Sequence, residues 1–235
     1  MIVTHARLAP AVTDYRWLLD RGYPDQGSIR LVGDRYRLTG TERGMLYRGV
    51  FSRIDSARRA SRLVDLLDAG LQPSIRELTV DGHNVLFTLW NSLAGRPVVV
   101  ATDGFVRDVG GTRARLPHDE RFDRLALVLS LELATLPLQR VTILLDEPLP
   151  WSRDHGGVIE RTWRDVAGPG APDLTAVTEP SVDAVVARTL RGGIATSDTA
   201  IIDRCRVPVL DLGGRMVRRT MRVQPVPMAE LAGYP

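Results

Sequence analysis

The sequence predicts an α/β fold, a mainly parallel sheet layered between helices and preceded by a small helical region, on three observations. From Glu77 onward, short β-branched runs alternate with stretches of helical periodicity, the pattern of repeated βαβ units. Four apolar runs stop on an aspartate: Leu78–Asp81, Val98–Asp103, Ile143–Asp146 and Ile194–Asp198. The residues before Pro73 lack this alternation and read as helices.

Taken in order, the first helix runs from Pro10 to Leu19 and is broken at Gly22–Gly27; a second stretch covers Ser28 to Leu38. Thr39 with Glu42 three residues on is a capping box, because the hydroxyl accepts from a free N–H while the Glu reaches back, and it starts the helix carrying Met45, Leu46 and Tyr47. Ser56 to Leu67 continues as a helix ended by Ala69-Gly70, and Pro73 marks the boundary with the second region. Strands are expected near 77–80, 97–102, 140–145, 174–178, 193–196 and 207–211, with helices over 84–94, 119–136, 157–167, 181–191 and 199–205. The Gly- and Arg-rich stretch from Gly104 to Pro117 reads as a mobile loop and the tail after Arg219 as disordered. The expected domains are therefore 1–75, helical and Arg-rich, 76–219, α/β, and a tail over 220–235.

All 31 basic residues are Arg, against 28 acids, for a net charge of +3. Guanidinium groups bind phosphates bidentately, whatever the origin of that bias. The first 75 residues are rich in them, from Arg7 to Arg62. No run of about 18 apolar residues is present and the amino terminus has no signal-peptide pattern, so a cytoplasmic protein without membrane contact is expected. The single cysteine, Cys205, excludes an internal disulfide.

If the four aspartate-ended runs are parallel neighbours, their carboxylates gather at the carboxyl edge of the sheet, where open α/β sheets place their sites. Crowded carboxylates call for cations, which points to divalent-metal and phosphoryl chemistry. Val80-Asp81-Gly82-His83-Asn84-Val85 ends a strand on Asp81, gives Gly82 to a tight turn and puts Asn84 at a helix start, where Asp81 or Asn84 can also act simply as a cap. Asp183 opens the helix after Ser181, where it also suits the helix dipole. Thr196-Ser197-Asp198 ends a strand, and Asp203 follows about one helical turn later. Asp146 ends a middle strand, as a further ligand or as a helix N-cap. Should the loop after Asp103 fold over this edge, Asp103 and Asp108 join the cluster and Arg107 holds a phosphate.

The order Asp-Gly-x-Asn-Val, then an acid opening a helix, then Thr-Ser-Asp with a further acid, resembles the PIN-like nuclease superfamily, its NYN branch in particular, over residues 77–212. The resemblance implies a Rossmann-type α/β/α sandwich that cleaves RNA. It implies Asp81, Asp183, Asp198 and Asp203 as carboxylates holding Mg²⁺ or Mn²⁺, and Asn84 as the residue orienting substrate or a metal-bound water. Many PIN-like enzymes carry an acid two residues after the strand-end Asp, where this chain has Ala200, so that last role is carried to Asp203. The runs Leu18–Pro24 and Leu31–Leu38 resemble a prokaryotic family of unknown function in which such a segment precedes an α/β domain.

The expected substrate is single-stranded RNA. Arg30, Arg35, Arg37, Arg43 and Arg48 offer phosphate contacts, and Tyr36 and Tyr47 offer stacking faces; the alternative is a solvated helical face with internal Asp pairs. The first region equally suits a partner protein or a second copy of the chain. Two other functions stay open: a non-catalytic RNA-binding or scaffold module, and an enzyme acting on a small phosphorylated metabolite. The absence of any Lys excludes a P-loop NTPase. Glu147-Pro148-Leu149-Pro150 after Asp146 argues against an aspartyl-phosphate phosphatase. No Gly-x-Ser-x-Gly elbow, paired zinc histidines or Gly-x-Gly-x-x-Gly fingerprint is present.

Overall fold

A computed structural model describes residues 5–65, 75–110 and 115–231. The helix end at Leu66 to Gly70, the boundary at Pro73 and residues 111–114 of the expected loop lie outside the described residues. The chain divides into two compact units, one formed by residues 1–61, 91–114 and 224–235, the other by residues 62–90 and 115–223.

The second unit is the α/β layer structure that the alternating pattern predicts. It contains β1 (Leu63–Val64), β2 (Glu77–Asp81), most of α5 (Gly82–Leu93), α6 (Glu120–Leu133), β5 (Arg140–Asp146), α7 (Ser152–Val166) and β6 (Asp173–Glu179). There follow α8 (Val182–Ala187), β7 (Gly193–Ala195), α9 (Thr199–Arg204), β8 (Val209–Leu210) and α10 (Leu212–Arg219). Six strands form one sheet in the order β1-β8-β7-β2-β5-β6, and every pairing is parallel. The architecture is Rossmann-like. β2 lies at its centre, with Leu78 and Val80 buried and Thr79 half-buried, as a strand covered on both faces requires. Around it Ile143, Leu145, Leu86, Leu125, Leu129 and Met216 make a continuous core.

The strand order fixes the position of a crevice. From β2 the chain moves outward through β5 to β6, then returns to the other side of β2 for β7 and β8. The topological switch therefore falls between β2 and β7, and ligands of open α/β sheets bind beyond the carboxyl ends of strands at such a point.

The first unit contains α1 (His5–Leu19), α2 (Asp25–Arg35), α3 (Gly40–Gly49) and α4 (Arg53–Ala60), joined by β3 (Val98–Val100), β4 (Val106–Asp108), β9 (Val226–Pro227) and α11 (Met228–Leu231). Its core gathers Leu8, Val12, Tyr15, Leu46, Val99 and Met228. The predicted capping box is present: Thr39 Oγ1 accepts from the Glu42 N–H at 3.2 Å, and Glu42 Oε2 accepts from the Thr39 N–H at 2.7 Å.

Four expectations are corrected here. The 97–102 strand is not in the parallel sheet; β3 pairs antiparallel with β4 and parallel with β9 in a separate three-stranded sheet. The reason is local: Gly104, at φ 88°, turns the chain back so that the Ala101 N–H donates to Phe105 O at 2.9 Å, leaving no room for a crossover helix. The stretch read as a mobile loop thus contains β4, and the tail read as disordered contains β9 and α11, with Met228 fully buried. The helix expected over Ser56–Leu67 is α4, which ends at Ala60 before β1.

Candidate active site at the carboxyl edge of the sheet

Asp81 ends β2 and is 4% exposed. Its Oδ1 accepts from the Asn84 N–H at 3.3 Å, capping α5, while its Oδ2 accepts from Thr196 Oγ1 at 2.9 Å, so the carboxylate is tied to both sides of the switch-point crevice. The expected turn at Gly82 has another cause than chain reversal. A Cβ there would lie 2.7 Å from Leu144 O and 2.7 Å from Leu145 Cδ2, so glycine lets the start of α5 press against β5.

Asn84 forms the second tie across the crevice. Its Oδ1 accepts from the Ser197 N–H at 2.8 Å and from Ser197 Oγ at 3.0 Å. The loop between β7 and α9 is thereby held against the start of α5, a positioning role for Asn84 that spacing alone did not reveal. Asp198 caps α9, its Oδ1 accepting from the N–H groups of Ala200 at 2.7 Å and Ile201 at 3.2 Å.

Asp183 lies in the first turn of α8, a helix that packs against β2, β5 and α9. Asp146 ends β5, with its main-chain N–H donating to His83 Nδ1 at 2.9 Å and its Oδ2 at 3.0 Å from the same nitrogen. It does not cap α7, whose N-cap is Trp151, five residues further on.

These acids act on one another. Burial pushes the Asp81 carboxyl up to about 7, opposed by the Thr196 and Asn84 hydrogen bonds and reinforced by the charges of Asp146 and Asp183. Asp183 is raised by burial first, then by Asp198 and Asp146, with Arg204 pulling the other way. Asp81, Asp146, Asp183 and Asp198 therefore form one electrostatic cluster. Asp203 is half-buried near the end of α9. Among the described residues, no three of His, Cys, Asp and Glu converge closely enough to enclose a metal ion. The donor set is nevertheless all hard oxygen. Oxygen donors of this kind suit a divalent cation that keeps part of its water shell.

The other acidic strand end belongs elsewhere. Asp103 lies in the interior of the first unit, where Arg107 Nη1 and Nη2 donate to its two oxygens at 2.7 and 2.9 Å. Arg107, expected to hold a phosphate, is 2% exposed and fixed in that fork. Asp108 accepts from Asn91 Nδ2 at 2.7 Å and faces Arg48. Arg43 pairs with Asp34 and Arg35 with Asp14, its Nε 3.6 Å from Oδ2, and Arg30 and Arg37 are exposed. Tyr36 donates its hydroxyl to Asp14 at 2.7 Å.

The fold and the acidic cluster together define a Rossmann-like α/β protein with carboxylates at its switch point. The chain belongs to the family described as a domain of unknown function (DUF5616), which matches residues 73–215. Residues 7–62 match a second family, a protein of unknown function (DUF434). The uncharacterized protein MJ0935 of Methanocaldococcus jannaschii is 26% identical over 136 residues, 58% of this chain. That match spans 63% of the relative's own length, under two thirds of it. No solved structure matches the chain. No helix among the described residues is long and apolar enough to cross a membrane.

Proposed function

We propose that the protein is a metal-dependent phosphodiesterase of the PIN-like kind, NYN branch, that cleaves single-stranded RNA. The observation that carries this reading is the placement of Asp81, Asp146, Asp183 and Asp198 at strand ends and helix starts beside the switch point, where burial and the neighbouring acids raise Asp81 and Asp183. Asp81, Asp146, Asp183, Asp198 and Asp203 would hold Mg²⁺ or Mn²⁺, and the ion would supply neutralising charge and a water of lowered pKa.

The chain's own residues do the rest. Thr196 and the Asn84 N–H orient the Asp81 carboxylate, and Asn84 fixes the strand-end loop that carries Asp198. Burial keeps the Asp81 carboxyl protonated up to about 7, so it would have to lose that proton to serve as a ligand, and metal affinity is expected to rise with pH through about 7. Arg37, exposed on the helical unit, and Arg35, which shares an exposed ion pair with Asp14, are proposed as phosphate contacts; Arg107, buried against Asp103, is not.

The test is cleavage of end-labelled single-stranded RNA and DNA with Mn²⁺, Mg²⁺ or EDTA, beside Asp81→Asn and Asp198→Asn. Metal-dependent cutting is expected, with a loss of a hundredfold or more in each variant, on the order of removing one charge-stabilising group. Asn is a good N-cap, so Asp198→Asn keeps α9 intact and reports on chemistry. Undiminished activity in folded Asp198→Asn sinks the assignment of this site.

One observation favours a second reading, a non-catalytic RNA-binding module: among the described residues, no three acids converge on a point. The two readings part on metal. A catalytic site gains thermal stability from millimolar Mn²⁺, because a ligand of the native state raises its melting temperature, and a binding module does not.

A further inference from the structure

Away from the acids, the second unit carries an aromatic stack that the cleavage chemistry does not use. Trp151 is 54% exposed, and its indole lies on the His118 imidazole with ring centroids 4.1 Å apart and planes 5° from parallel. The backbone at Trp151 is left-handed, with φ 67° and ψ 10°. For a bulky residue this is a strained conformation, of the sort that persists where its surroundings hold it.

The surroundings hold it firmly. Ser152 Oγ lies 2.5 Å from Asp146 O and 2.8 Å from Leu149 O, the Glu147 N–H donates to Glu179 O at 2.9 Å, and the His155 N–H donates to Trp151 O at 2.8 Å. Beneath the stack His155 lies face to face with Phe122 at 3.8 Å, and its Nε2 is 3.1 Å from Pro117 O. Burial pushes the His155 imidazole down to about 4, so the ring is neutral and Nε2 donates to that carbonyl. The residue before His118 is thereby fixed to the helix that follows Trp151.

Trp151 opens onto a cavity of about 350 Å³, within the size range of small-molecule sites. Leu149 and Thr178 supply apolar and hydroxyl surface. Arg153 is the basic residue of its lining and is exposed, while Glu147 and Asp154 are acids. Two acids against one guanidinium disfavour a phosphate; an uncharged flat group that stacks on indole fits better. The location agrees. Asp146 and Glu179 are register partners at the ends of β5 and β6, so the cavity lies beyond the same sheet edge as the acids, one to two strand spacings of about 4.8 Å from β2.

We propose that the Trp151–His118 stack is a nucleobase platform, seating one base of a single-stranded substrate while the adjoining phosphate lies at the carboxylates. This rests on the nucleic-acid reading above for the identity of the flat group. Base–aromatic stacking tolerates any base, so the platform contributes affinity and register without sequence preference.

The test measures binding of a fluorescent single-stranded 12-mer RNA to the full chain in EDTA by anisotropy, for wild type, Trp151→Ala and Trp151→Phe. Trp151→Ala is expected to bind about tenfold more weakly, the lower end of a one-base stacking loss. Trp151→Phe should stay close to wild type, because it keeps a flat ring. Adenosine 5′-monophosphate should compete and ribose 5-phosphate should not. Unchanged affinity in Trp151→Ala, an equal loss in Trp151→Phe, competition by ribose 5-phosphate, or no binding by wild type would each overturn the platform. Cleavage is scored separately with Mn²⁺. A Trp151→Ala enzyme that cuts at unchanged KM removes the platform and leaves the nuclease standing, whereas Trp151-dependent binding without any cutting does the reverse.

Discussion

At the scale of the residue, Asp81 sets the pH behaviour of the site. In the folded chain its carboxyl keeps a proton up to about pH 7, against an ordinary value of 3.8, because burial disfavours the charged form. Between those two values the folded state binds more protons than the unfolded one, so this group makes stability fall as pH rises. Below about 4 both states are protonated, and above about 7 both are ionised. Asp81→Asn, which cannot ionise, is therefore expected to match wild type near pH 4 and to exceed it by a few kcal/mol at pH 8 in EDTA. Urea midpoints across that range measure the difference, and a constant offset would show that Asp81 does not carry the buried charge.

At the scale of the element, helix starts do most of the positioning. Asp81, the last residue of β2, caps α5, and Asp198, three residues beyond β7, caps α9, so acids at or just past two strand ends begin two helices. Local chemistry of this sort is legible in a sequence: Thr39 and Glu42 lie three residues apart and form the expected box. Gly82 is different, because its need for glycine comes from β5, more than sixty residues away. Gly82→Ala would force the start of α5 away from Leu144 and Leu145, and a loss of about 1–3 kcal/mol is expected from overpacking. Denaturant unfolding measures it, and a variant as stable as wild type would mean that α5 shifts without cost. Trp151 belongs with these cases: nothing about Leu149-Pro150-Trp151 in sequence announces a left-handed N-cap stacked on a histidine from another loop.

At the scale of the whole molecule, the chain builds two cores from interleaved segments. Asp103 and Arg107 are a buried ion pair of the first unit, with Arg59 Nη1 also 3.9 Å from the carboxylate. Removing one partner leaves a buried uncompensated charge and costs about 3–5 kcal/mol. Asp103→Ala is therefore expected to speed hydrogen exchange in β3 and β4 while β2 and β5 keep their protection. Equal acceleration in both units would show that the two cores unfold as one.

The sequence by itself determined the α/β class, the positions of β2, β5, β6 and β7, the capping box, and Asp81, Asp146, Asp183 and Asp198 as strand-end or helix-start acids. These follow from periodicity and from short-range hydrogen bonding, both of which are written within a few residues. Tertiary structure alone decided which acidic strand end joins the cluster. Val98–Asp103 has the same apolar-then-Asp pattern as the others, yet it pairs with β4 and β9, and its Asp binds Arg107 rather than facing the crevice. Pairing partners and burial depend on segments distant in the chain, so identical local patterns give a site residue in one case and a structural ion pair in the other.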